Sequence, residues 1–160
     1  MRSDTKSRQE EYISRLVDLY ADVEIWTEGS DLRTKQGKME LHEEAPGRYQ
    51  VPTLAIRDVQ GNKLADLVPV GAWIIGAEGR VDMVGSMDVN SLVYLKAGGP
   101  AVITKEVVGG RSSEDRPTPL FKGVKGAGWY WIEDKRLGRA RPLSKQLFLD
   151  LLSEVSDHGV

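Results

Sequence analysis

Three residues of the stretch MELHEE have side chains that could bind a metal ion. If this stretch is a β-strand, Glu40, His42 and Glu44 share one face, because side chains alternate between the two faces of a strand. Two carboxylates and an imidazole could bind a divalent metal or share a proton. The polar, solvated face of an ordinary strand has the same pattern, so both interpretations stay open.

The stretch GAEGRVD contains a second candidate group. Flanking strands would make it part of a hairpin, with Gly76 and Gly79 supplying the positive φ angles of the turn. Alternation then places Arg80 and Asp82 on one face, where the two side chains can form an ion pair. We therefore interpret these residues as part of the hairpin construction.

A different interpretation comes from the PD-(D/E)xK pattern of metal-dependent nucleases, which this stretch and the following LVYLK segment resemble. The resemblance implies that Asp82 is the first metal ligand and Lys96 is the lysine of the pattern. Where the pattern has an acid, this chain has Tyr94. One ligand for a hard cation is therefore missing, which makes a degenerate nuclease an alternative to a non-catalytic hairpin.

Basic residues are concentrated near three adjacent aromatic residues toward the C-terminus. Between Lys122 and Lys145 there are seven basic residues and two acidic ones. Such a cluster suits single-stranded nucleic acid, through phosphate contacts and base stacking, and it suits an acidic protein surface equally well. Alternatively, alternate aromatic residues are core and the charged stretch is an exposed hairpin. The residues that we predict to contact a partner are Trp129, Trp131, Lys135, Arg136, Arg139 and Arg141.

Composition excludes several chemistries. The chain has no Cys, so it has no disulfide, no thiolate nucleophile and no cysteine zinc site. It has only two His residues, too few for a three-histidine zinc site, and it contains neither a P-loop nor a G-x-S-x-G elbow. The net charge of −2 provides no overall attraction to nucleic acid or to an anionic membrane. We expect no cofactor, and a non-enzymatic protein rather than an enzyme.

Two helices are predicted at the ends of the chain. Apolar residues at helical spacing predict an amphipathic helix over about residues 6–28, which Gly29 ends. A second helix is predicted over about residues 145–156, with Ser144 as its N-cap. The residues predicted to be buried are Tyr12, Ile13, Leu16, Val17, Tyr20 and Val23 in the first helix and Leu147, Phe148, Leu151, Leu152 and Val155 in the second.

Short apolar or alternating runs separated by Gly and Pro turns fill the region between these helices. The connections are too short to hold crossover helices, so neighbouring strands should be antiparallel. We predict an α+β fold with a mostly meandering sheet of about six to seven strands and both helices on one face of it. Residues 1–160 should form a single globular domain, with a mobile loop near residues 109–119, which contain no apolar side chain.

Residues 49–86 resemble a stretch found in small bacterial proteins of unassigned function. In those proteins a strand that contains Pro is followed by a GxxGRVD hairpin, and a short helix closes the domain. The resemblance implies a bacterial source and a compact domain, and it assigns no catalytic residue.

These observations predict a cytoplasmic protein, because the polar N-terminus lacks the apolar stretch of a signal peptide and no run of eighteen apolar residues occurs. We predict a binding module of the accessory or immunity type that engages a protein partner through its basic and aromatic C-terminal surface. Nucleic acid is the alternative partner, a membrane is not expected, and the sequence predicts no oligomeric state.

Overall fold

The chain begins with a long helix, α1, which spans Arg2–Thr27. The computed structural model that shows it describes residues 2–104, 107–108, 111–112, 116–134 and 138–156. The helix ends where Gly29 takes a φ of +75°, which confirms the predicted stop. Val17 was wrongly predicted to be buried and is 51% exposed, because Leu19 faces the core in its place. The fully buried side chains of α1 are Tyr12, Leu16, Leu19, Tyr20 and Val23.

Eleven strands occur in the described part of the chain, and seven of them form one antiparallel sheet. The order in this sheet is β1-β2-β3-β4-β5-β10-β11, a meander interrupted only by the small strands after β5. The predicted antiparallel meander is therefore confirmed. In chain order the strands are β1 (Leu32–Glu43), β2 (Gly47–Asp58), β3 (Lys63–Gly71), β4 (Gly79–Gly85), β5 (Val89–Leu95), β6 (Ala101–Thr104), β7 (Val107–Val108), β8 (Arg111–Ser112), β9 (Arg116–Pro119), β10 (Gly128–Asp134) and β11 (Arg139–Pro142).

Two of the four small strands, β8 and β9, lie in the region where the sequence predicted a mobile loop, and β6 and β7 precede it. β6 pairs with β9, and β7 pairs with β8, each as a two-stranded antiparallel ladder. Paired backbone therefore occupies positions 111–112 and 116–119, where no strand was expected. The mobility predicted for the remainder of 109–119 lies outside the described residues.

The second helix, α2, spans Lys145–Ser156, as predicted. The Ser144 hydroxyl accepts a hydrogen bond from the backbone N–H of Leu147 at 3.2 Å, which confirms the N-cap. Its five predicted apolar residues are all buried. Trp26 of α1 and Phe148 of α2 have ring centroids 5.6 Å apart, so both helices contribute to one core against the same face of the sheet. No helix in the described residues is long and apolar enough to cross a membrane.

The GAEG turn between β3 and β4 uses its two glycines differently. Gly76 has a φ of +81°, which confirms the prediction, whereas Gly79 was wrongly assigned a positive φ. Gly79 is required for a close approach instead, because a Cβ atom there would lie 2.6 Å from Cδ1 of Tyr12. The phenol of Tyr12 donates a hydrogen bond to the carbonyl oxygen of Arg80 at 2.6 Å, and so α1 is joined to the start of β4.

Candidate partner-binding site

The aromatic residues of β10 are divided between the two faces of the sheet. Trp129 pairs with Tyr94 and Trp131 with Leu92, on the face that the helices cover. Both indoles are half-buried and pack against the main core. Tyr130 faces the other way and is 4% exposed in a second, smaller core. The alternative that these aromatic residues contribute to the core is therefore correct in part, and each indole keeps an accessible portion.

Trp129 forms one wall of a groove between α1 and β10. Its indole N–H donates to the carbonyl oxygen of Arg15 at 3.2 Å, and its ring meets Tyr94 edge-on with centroids 5.5 Å apart. The Arg15 guanidinium lies over the Tyr94 ring, 4.2 Å from the centroid. The groove has a volume of about 390 Å³ and is also lined by Trp26, Leu143 and the acidic residues Asp18 and Asp22. An aromatic-walled space of this size can accept an apolar side chain.

Trp131 lines a second opening, where β5 and β10 diverge. Their ladder ends at the pair Leu92–Trp131, so β5 and β10 do not pair beyond this point in the described residues. The resulting cleft has a volume of about 430 Å³ and also contacts Ile75, whose side chain is fully exposed. The Arg141 guanidinium lies 6.0 Å from the centre of the Trp131 ring.

The basic residues of this region lie on and beside β11, the last strand of the sheet. Arg139 and Arg141 are 62% and 46% exposed, and each has a nitrogen 3.9 Å from the carboxylate of Glu133. Lys122 pairs with β11 through its backbone, because its carbonyl oxygen accepts from Ala140 N–H at 2.7 Å, and its side chain is exposed. The structure thus brings Arg141 next to Trp131, and Arg139 lies two residues earlier on the same strand. Lys135 and Arg136 lie outside the described residues.

The predicted ion pair of the GRVD stretch is confirmed. Arg80 Nε and Nη2 donate to the two carboxylate oxygens of Asp82 at 2.9 and 3.1 Å, and these hydrogen bonds raise the pKa of the Arg80 guanidinium. Asp82 pairs with Ser91 on the sheet face opposite the helices. Tyr94 contacts Trp129 on the helix-covered face, so the positions needed for a nuclease site lie on opposite faces of the sheet.

The acidic residues of the MELHEE stretch are not gathered into a site. β1 ends at Glu43, so Glu44 lies in the following turn, and Glu40 pairs with Arg48 at 3.7 Å. Within the described ranges, no group of three or more His, Cys, Asp and Glu side chains could hold a metal ion. Neither His42 nor Asp82 takes part in such a group.

Glu43 has a role that the sequence analysis missed. Its carboxylate accepts hydrogen bonds from the backbone N–H groups of Ala72 and Trp73 at 3.1 and 3.0 Å and from the Tyr49 hydroxyl. Burial, together with the hydrogen bond to Glu43, raises the pKa of the Tyr49 phenol. Leu41 and Glu43 are two residues apart on β1 and therefore share the face of the strand that points to the core. An acidic residue on this face was the signal in the sequence for a structural role of Glu43.

The chain matches no protein-family model, no curated protein and no solved structure. The resemblance of residues 49–86 to small bacterial proteins stays a prediction, and the function is inferred from the site geometry.

Proposed function

We propose that this protein is a non-enzymatic binding module that engages an acidic protein partner through its basic corner. We define the basic corner as Lys122, Trp131, Arg139 and Arg141, located at the β10–β11 end of the sheet. A role as an accessory or immunity-type factor in the bacterial cytoplasm fits such a module, and it is part of the proposal.

The observation that carries the proposal is the charge imbalance beside Trp131 among the side chains that the structure describes. Arg139 and Arg141 share one carboxylate, Glu133, at distances longer than a direct hydrogen bond. Exposed ion pairs of this kind contribute little to stability, so the two guanidinium groups can exchange Glu133 for a partner's carboxylates at small cost. Positive charge that faces an acidic surface also accelerates association.

An aromatic anchor accompanies this charge. Trp131 is held by core packing on one side and by Arg141 on the other, and it lines an open cleft. Trp and Arg are the residue types most enriched among those that dominate binding energy at protein interfaces. The nearby groove at Trp129 can accept a partner's apolar side chain beside the same strand.

Nucleic acid is the second candidate partner, favoured by the same basic side chains. The two partners differ in salt dependence. Phosphate contacts predict a steep loss of affinity, about a thousandfold for six contacts, between 50 and 200 mM salt. An interface anchored on Trp131 predicts a much weaker dependence.

The proposal is tested by affinity capture from the native host with three forms of the tagged protein. They are the wild type, a double variant that carries Arg139→Ala and Arg141→Ala (the β11 pair), and a control double variant (the control pair). The control pair, Lys38→Ala and Arg48→Ala, removes the same charge from exposed positions of the β1–β2 hairpin. Each capture is repeated after nuclease treatment. We expect an acidic protein that survives nuclease, is retained by the control pair and is lost with the β11 pair.

Two results would contradict the proposal. If the wild type and the β11 pair capture the same proteins in the same amounts, the basic corner is not the interface. If the untreated capture contains nucleic acid and the captured proteins are lost after nuclease treatment, the partner is nucleic acid.

A further inference from the structure

The groove between α1 and β10 contains acidic charge that no described side chain neutralises. Asp18 and Asp22 line it from successive turns of α1, and both side chains are exposed. Among the residues that the structure describes, neither carboxylate has an ion pair or a hydrogen bond. We call the space lined by Asp18, Asp22, Trp26, Tyr94 and Trp129 the acidic groove.

Arg15 also lines this groove, but its charge is already engaged. Its guanidinium lies 4.2 Å from the centroid of the Tyr94 ring and 3.6 Å from the carboxylate of Glu11. Only 21% of the Arg15 side chain is exposed, so it lies along the wall of the groove. Because Glu11 offsets the charge of Arg15, the two aspartates leave the groove with an excess of negative charge. The stacking of Arg15 also shows that the aromatic wall contacts a cation in this fold.

The spacing of the two aspartates fits a single ammonium group. Side chains four residues apart on a helix are neighbours, with Cβ atoms about 5–6 Å apart. An ammonium group is compact and has three rotatable donors, so it can lie between two such carboxylates, whereas the planar fork of a guanidinium matches one carboxylate. The rings of Trp26 and Trp129 suit the methylene stem of a lysine, which packs on apolar surface while the charged end stays in water.

We infer that the acidic groove receives a lysine side chain of a protein partner. The stem would pack against the two indoles, and the ammonium group would pair with Asp18 and Asp22 and relieve the repulsion between them. Charge complementarity selects this occupant, because an acidic side chain is repelled and an apolar one leaves both carboxylates unpaired. The inference rests on the proposed function in one respect, that the partner is a protein. It adds a lysine to the acidic residues that face the basic corner.

The test follows the indole N–H signals of the four Trp residues by nuclear magnetic resonance while a blocked Gly-Lys-Gly tripeptide is added. A matched tripeptide carries norleucine, which keeps the stem and lacks the ammonium group. We expect the lysine peptide to shift the signals of Trp26 and Trp129 and to leave that of Trp73 unchanged, since Trp73 lies beside Arg8 and outside the groove. The norleucine peptide should bind about threefold more weakly.

Two double variants separate the groove from the general charge of α1. The groove variant carries Asp18→Asn and Asp22→Asn, and the control variant carries Asp4→Asn and Glu10→Gln, which removes the same charge from exposed positions earlier in the helix. We expect the dissociation constant for the lysine peptide to rise about three- to tenfold in the groove variant and to stay near the wild-type value in the control. The groove variant should lose no thermal stability, because neither aspartate has a partner among the described residues.

Three results would overturn the inference. Equal binding of the lysine and norleucine peptides to the wild type is the first, and this comparison needs no variant. The second is equal affinity of the groove variant and the control, and the third is a shift spread evenly over all four indoles. None of these substitutions touches the basic corner. Failure here therefore leaves the capture experiment unaffected, and a capture unchanged by the β11 pair would contradict the basic corner alone.

Discussion

The carboxylate of Glu43 accepts a hydrogen bond from the backbone N–H of Trp73 at 3.0 Å, and this contact holds the tip of the β1–β2 hairpin against the β3–β4 connection. Ala72 N–H and the Tyr49 hydroxyl donate to the same carboxylate. Arg8 of α1 donates to the carbonyl oxygen of Ala72 at 2.7 Å, so the helix joins the same junction. One acid thus connects two hairpins that are distant in sequence.

Replacing this acid should destabilise the fold. Glu43→Gln keeps the shape but weakens three hydrogen bonds to a charged acceptor, and we expect a loss of about 1–3 kcal/mol in the free energy of unfolding. Glu40→Gln is the matched control on the same strand, because among the described residues Glu40 has only an exposed ion pair with Arg48. Urea unfolding of the control should show a loss of less than about 1 kcal/mol in the free energy of unfolding. Equal losses in both variants would contradict the role of Glu43.

Gly79 should not tolerate a side chain. Gly79→Ala places a methyl group 2.6 Å from the Tyr12 ring, and we expect a cost of about 1–3 kcal/mol from overpacking. Gly128→Ala is the control, since a Cβ atom there meets nothing within 4 Å. Thermal unfolding of both variants checks this prediction. If Gly79→Ala is as stable as Gly128→Ala, the Tyr12 ring can shift to accommodate the methyl group without a loss of stability, and the prediction is wrong.

Stability should fall in alkali because buried phenols must stay neutral in the fold. Burial raises the pKa of Tyr12 and Tyr20 above the ordinary value of about 10. The stability they contribute is therefore fully present below pH 10 and is lost as pH rises above it, where the unfolded chain ionises. We expect Tyr20→Phe to reduce the pH slope of the unfolding free energy above pH 10 by about 1.4 kcal/mol per pH unit. Identical slopes in the two proteins would be inconsistent with a neutral Tyr20.

Asp82 should matter for stability and not for catalysis. Asp82→Asn removes the negative charge from an ion pair that contains two hydrogen bonds. We expect the free energy of unfolding to fall by about 1 kcal/mol. Glu10→Gln serves as the control, because its pair with Lys6 is 4.0 Å long and exposed. Nuclease assays with Mg²⁺ and Mn²⁺ accompany the unfolding curves. Metal-dependent cleavage that Asp82→Asn abolishes would revive the nuclease alternative.

Local patterns made most of the fold predictable. The spacing of apolar residues located α2 and its N-cap Ser144, and the short Gly and Pro turns required antiparallel neighbours. The Arg80–Asp82 pair followed from alternation within a single strand. Each of these features depends on residues that are close in sequence, which is why one sequence was sufficient.

Features that depend on distant residues could not be predicted in the same way. The contacts of Glu43 with Trp73 and of Trp129 with Arg15 join segments far apart in the chain. Alternation in β1 marks Glu43 as an acid on the core-facing side, but no local pattern identifies its partner or that of Trp129. Gly79 appeared to be a turn residue because its neighbour Tyr12 comes from another element. The strands near 111–119 lack apolar residues, so backbone pairing there had no sequence signal.

The most direct test of the basic corner is the dissociation constant of the purified partner, measured by calorimetry at low and moderate salt. The wild type is compared with the pair Arg139→Ala and Arg141→Ala and with the control pair Lys38→Ala and Arg48→Ala. We expect the β11 pair to weaken binding at least about tenfold, in line with truncation of interface arginines, while the control pair stays close to the wild type. Equal dissociation constants for all three proteins would contradict the account.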